Sequence, residues 1–232
     1  MVWPRYIFYF IGITLVTWML TQLEMSFPGS LKLHVIGFEG DPLGTSEYSP
    51  IEIMQPLILA ICGLLLAWVA QYCPSQRPIA FPFGGLALAF LIRECDYFLD
   101  RFLIDNLWQV LIGIALAFVI AYGYRARRRM RIAWARIWPS PGLALWFAGA
   151  VILFAFVRLV GHESLWMSIL GDDYHRVAKL AVEELIELLG YFLWLIGTIE
   201  YTYQARAIAY REPKPAAQRR RQKRRHDREG RF

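Results

Sequence analysis

Ala181-Val182-Glu183-Glu184-Leu185-Ile186-Glu187-Leu188-Leu189-Gly190-Tyr191-Phe192-Leu193-Trp194 sets three glutamates inside the last long apolar run of the chain, 175–204. A helix of that length rises about 45 Å, enough to cross a hydrocarbon core of about 30 Å and emerge on both sides. A charged side chain left facing lipid costs roughly 2.5–3.5 kcal/mol, so these carboxylates are expected to face a protein interior and to meet partners there. Those partners have to come from other apolar runs.

Five such runs precede it, at 6–23, 53–76, 79–102, 107–124 and 141–160. Together with 57% hydrophobic and only 19% charged residues, they predict an all-α, polytopic membrane protein. Its six transmembrane helices would form one bundle over residues 1–210. The first run resembles a leader in length, but Thr21-Gln22-Leu23-Glu24-Met25 offers no small-x-small cleavage site, so it is expected to stay as a helix. Residues 24–52, broken by Pro28, Gly29, Gly37, Gly40, Pro42, Gly44 and Pro50, are expected to form an irregular loop in water. A basic connector is expected at 125–136, with Trp134 and Trp138 at belt height, and a disordered polybasic tail at 211–232.

Charge orients the bundle. With six crossings, 19 of the 25 basic residues fall on the side of the two termini and six on the other, whereas the acids divide 4 to 15 the opposite way. Short loops biased so strongly follow the positive-inside rule, which predicts cytoplasmic N and C termini and a bacterial inner-membrane setting. The tail then reads as an attraction to anionic lipids at the cytoplasmic face. No aromatic interleaving or folded motif accompanies it, so no nucleic acid is expected as a partner.

Depth brings the charges of three runs together. Counted inward from the cytoplasmic ends, Arg93 and Glu94 lie at about 21–24 Å, and Arg158 and Glu187 at about 25 Å. Asp96, Asp100, His162, Glu183 and Glu184 lie just beyond, toward the outer interface. The expected arrangement is therefore a buried layer enclosed by the third, fifth and sixth helices. Arg93 would pair with Glu187 or Glu184, Arg158 with Glu94 or Glu187, and the first, second and fourth helices would form the lipid-facing wall. Arg suits such a site because its planar fork can hold two carboxylate oxygens. Below the charges, Gly190 and Gly197 would admit a neighbouring helix closely.

Acids outnumber bases in this layer, and three functions compete for the surplus. The principal expectation is a transporter-like protein for protons or a small cation, since intramembrane carboxylates near water are how such pathways are built. The first alternative is a non-catalytic scaffold or assembly subunit, with a membrane-protein partner or a second copy of the chain. The second is a metal-dependent membrane hydrolase acting on lipid, its metal held by His162, His175, Glu183 and Glu187. That set lacks HExxH or any Glu-x-x-His spacing, and Cys62, Cys73 and Cys95 show no ligand spacing either. Ser, Cys and Gly-rich catalytic signatures are missing, and no cofactor is expected.

Overall fold

The computed structural model describes residues 3–31, 49–96, 99–100, 103 and 106–212. The polybasic tail from residue 213 and the loop residues 32–48 lie outside them. Among the described residues the chain is helical throughout, with no strand. The elements are α1 (Trp3–Ser26), α2 (Pro50–Tyr72), α3 (Arg77–Glu94), α4 (Leu107–Ile137), α5 (Pro141–Val151), a π-helical turn (Ile152–Phe156), α6 (Val157–Val160), α7 (Glu163–Leu170), a 3₁₀ turn (Gly171–Asp173) and α8 (Arg176–Arg211).

Among the described residues four helices are long and apolar enough to cross a membrane: α1 from Pro4, α2, α4 and the continuous rod Pro141–Val160 that α5 and α6 form through the π turn. Such helices make a multi-pass, membrane-embedded chain. Helices α3 and α8, which carry the charges, pack among them. Neighbours follow the order α4, α3, α2, α8, α5, so α2 and α8 hold the centre. Below, the upper end means that of the α3 C-terminus, and the lower end that of the Cys73–Gln76 turn.

Local sequence explains the helix ends. Ser49 caps α2 by accepting the Glu52 amide at 3.1 Å while the Glu52 carboxylate accepts the Ser49 amide at 3.4 Å, and Pro50 occupies the first turn, where no donor is needed. Glu24 ties off α1 by accepting the amides of Gly29 and Leu31, each at 2.7 Å. At the lower end Arg77 donates from Nε to the Ala70 carbonyl at 2.8 Å, locking the tight turn between α2 and α3.

Three expectations need correction. The second helix is outer wall on one face only: Leu59, Cys62 and Val69 of α2 are fully buried, because α2 is wedged between α3 and α8, while Ile53, Leu57 and Leu64 are exposed. The third helix, α3, ends at Glu94 with Cys95 as its cap, short of the 102 expected, and helical residues recur at Asp96, Leu99 and Asp100. The basic connector is no loop but the last three turns of α4, held helical by Ala133 and Ile137, which are buried against the lower core.

The α5–α8 crossing is close, and it rests on four glycines. A Cβ on Gly142 would stand 2.8 Å from the Gly197 carbonyl oxygen, and one on Gly149 would stand 2.9 Å from that of Gly190. Conversely, a Cβ on Gly190 or Gly197 would meet Leu153 or Trp146 at 2.7 Å. Small residues thus let two backbones touch, as expected of Gly190 and Gly197 from the sequence. The wider i→i+5 turn at Ile152–Phe156 slows the angular drift of the rod, so Gly149, Leu153 and Val157 stay on the α8 side. Aromatic rings fill the remaining core, with Phe83 stacked on Trp146 at 4.1 Å and Phe90 edge-on to Trp194 at 5.3 Å.

Candidate functional site

Two buried carboxylates of α8, Glu187 and Glu200, are 3% and 2% exposed and thirteen residues apart, about 20 Å along the axis. Each is met by an arginine and a tyrosine. At the upper end Arg93 Nη1 of α3 lies 2.6 Å from Glu187 Oε1 and 3.6 Å from Glu94 Oε1. The Tyr191 hydroxyl donates to Glu94 Oε1 at 2.6 Å and also lies 3.4 Å from Glu187 Oε1. One guanidinium nitrogen therefore bridges two carboxylates, in place of the two-pronged fork expected. Tyr191 closes the group from below, one helical turn along α8 from Glu187.

A cavity of about 470 Å³ opens onto this group between α2, α3 and α8. Glu94, Glu184 and Glu187 line it together with Arg93 and Asp96. From α2 come Glu52, Gln55 and Pro56. The buried Gln55 amide donates to Glu184 Oε2 at 2.8 Å, fixing that carboxylate on the cavity wall. Pro56 has no N–H, so the carbonyl of Glu52, four residues earlier, loses its helical donor beside the same space. Among the described residues, five carboxyls and one guanidinium thus line a space large enough for several waters or one small cation. Coulomb repulsion between carboxylates in this setting falls when a proton or a cation sits among them.

Depth predicted which heights would be charged but not which faces. Arg93, Glu94, Asp96, Glu184 and Glu187 come together at the cavity. Arg158 does not: it is exposed, and pairs with neither Glu94 nor Glu187. Val157 and Gly161 take the α8-facing positions of the rod, and one residue further on is about 100° around the helix. The fifth helix is thereby replaced by the second as the third wall of the layer. Glu183 pairs instead with Lys179 one turn back at 2.9 Å and abuts Gly161, whose Cβ position lies 2.5 Å from Glu183 Oε1. Asp100 accepts the Asn106 amide at 2.8 Å in an exposed turn beyond α3.

The metal set disperses in the same way. His162 and His175 are exposed residues preceding α7 and α8, and among the described residues no three His, Cys, Asp or Glu side chains are grouped to hold an ion.

The lower carboxylate was not anticipated. Glu200 Oε2 accepts from Arg5 Nη2 at 3.1 Å and Glu200 Oε1 accepts from the Tyr9 hydroxyl at 2.8 Å, fastening α1 to α8, while the Arg5 guanidinium also lies 4.6 Å from the Tyr203 ring centroid. The signal was available in the sequence: a single acid, Glu200, in an otherwise uncharged stretch of the last run, and a single base, Arg5, at the start of the first. Gln55 and Tyr191 carry no such signal, since a neutral polar residue in an apolar run costs too little to stand out. No protein-family model, curated protein or solved structure matches the chain, so its chemistry is read from its own side chains.

Proposed function

We propose that this protein moves protons or a small monovalent cation across a bacterial inner membrane, using the acidic cavity as its entry and binding site. In this reading all six long helices cross the bilayer, both termini are cytoplasmic and the cavity opens toward the outer face. Anionic lipids attend the basic cytoplasmic ends. The observation that carries the reading is the mismatch in the cavity wall: among the described residues that line it, Glu94, Glu184 and Glu187 share the space with one cation, Arg93. A purely structural network gains most from matched charges, since buried ions without partners destabilise. A surplus of carboxyls beside a cavity is instead suited to taking up and releasing a positive charge.

The test is flux. The purified chain is reconstituted into vesicles holding a pH-sensitive dye, and a potassium diffusion potential drives proton entry, with sodium or potassium gradients as parallel arms. The wild type should acidify the lumen or carry one of the two cations. Glu94→Gln and Glu184→Gln should abolish that flux, while Glu212→Gln, which breaks only an exposed ion pair with Arg136, should not. Wild-type vesicles no leakier than empty ones to all three ions would overturn the proposal.

A further inference from the structure

A second cavity lies away from the acidic group. It is an apolar groove of about 580 Å³ on the open side of α2, α3 and α4. Small residues create it: Gly63, Ala67 and Ala70 on α2 face Ala80, Gly84 and Gly85 on α3. Gly63 has nothing within 4 Å of where a Cβ would stand, and Phe81 and Phe118 close the far wall. The groove runs from Leu88 near the middle of α3 down to Arg77 at the lower end, eleven residues or about 16 Å. That is close to half of a hydrocarbon core of about 30 Å, the depth of one leaflet.

Its lower mouth is not apolar. Arg77 and Gln71 stand there, both exposed. The Ala70 carbonyl fixes Arg77 through Nε, which leaves both terminal guanidinium nitrogens without a protein partner among the described residues. A greasy slot one leaflet deep with a positioned, unspent guanidinium at its mouth matches one kind of molecule in both shape and charge. We infer that this groove is a binding site for a single anionic phospholipid, one acyl chain lying between α2 and α3 and the phosphate bound to Arg77. A guanidinium suits this role because it offers a phosphate two parallel N–H donors. The site is distinct from diffuse attraction at the basic end of α4 and from the acidic cavity, and it stands whether or not the chain transports anything.

Native mass spectrometry of the full chain in mild detergent tests it, with phosphatidylglycerol or phosphatidylethanolamine added in turn. One phosphatidylglycerol per chain should be retained about fivefold more strongly than phosphatidylethanolamine. Arg77→Gln should bring that ratio to one. Gly63→Leu, whose Cβ would meet nothing within 4 Å and whose side chain would occupy the groove, should lose the bound lipid of either kind while the thermal midpoint is kept. Arg127→Gln, a basic side chain of α4 lying over Tyr124, should leave the preference intact. Equal retention of the two lipids by the wild type overturns the inference. So does a loss in Arg127→Gln as complete as in Arg77→Gln, or full occupancy in Gly63→Leu. Should Arg77→Gln fail to fold, the Gly63→Leu arm decides alone.

Discussion

The two arginine–glutamate–tyrosine groups on α8 use the same residue types in different proportions. At the lower end one guanidinium meets one buried carboxylate, and Tyr9 takes the second oxygen of Glu200. At the upper end one guanidinium serves Glu187 and Glu94 at once, and Glu184 stands beside them on the wall of the same cavity. The first is balanced and fastens a helix. In the second, among the described residues, two carboxylates share one guanidinium.

Removing one carboxylate should therefore have opposite consequences at the two ends. Glu200→Gln strands Arg5 and unties α1, which has few other contacts, so a loss of about 2–3 kcal/mol is expected in thermal or denaturant unfolding in detergent. Glu184→Gln removes one of several repelling acids while its amide oxygen can still accept from Gln55, and stability should stay within about 0.5 kcal/mol. Equal losses would erase the distinction. Next in size, Arg93→Leu should cost about 2 kcal/mol, less than for a wholly buried pair because the Arg93 side chain is 41% exposed. Adding Glu94→Gln to that variant should recover part of the loss, and strict additivity of the two would show that Arg93 does not balance Glu94.

Smaller effects sharpen the same contrast. Tyr191→Phe deletes a 2.6 Å hydrogen bond to Glu94 and should cost about 1 kcal/mol, with flux altered more than stability if the hydroxyl orders the cavity floor. Arg158→Leu should change unfolding by less than about 0.5 kcal/mol, because the side chain is exposed and pairs with no acid of the layer. A loss near that of Arg93→Leu would restore it to the layer.

Helix existence was legible because apolar runs of 18 or more residues have few other readings, and the charge-bearing height was legible because rise per residue is constant. Facing was not. Arg93 and Arg158 sit at nearly the same computed height, yet only Arg93 looks into the bundle. The angular position of Arg158 depends on which residues of the rod touch α8, and the π turn at Ile152–Phe156 sets that outside any regular period. The centrality of α2 was hidden for a related reason. Uncharged helices look alike whether lipid or protein surrounds them, since Leu59 and Cys62 suit both. The four-glycine crossing was half legible, through Gly190 and Gly197, because their spacing of seven marks one face; the matching pair Gly142 and Gly149 has meaning only once its partner is known.

That crossing has a mechanical consequence. With main chain against main chain at Gly142 and Gly149, the α5 rod and α8 cannot slide or roll along each other in contact without collision, which favours their tilting together. Helices α2 and α3 meet α8 through side chains, above all the Gln55 amide and the Arg93 guanidinium, which can swing and re-form. Any cycle that seals the vestibule on one side and opens it on the other has its pivot along that softer seam.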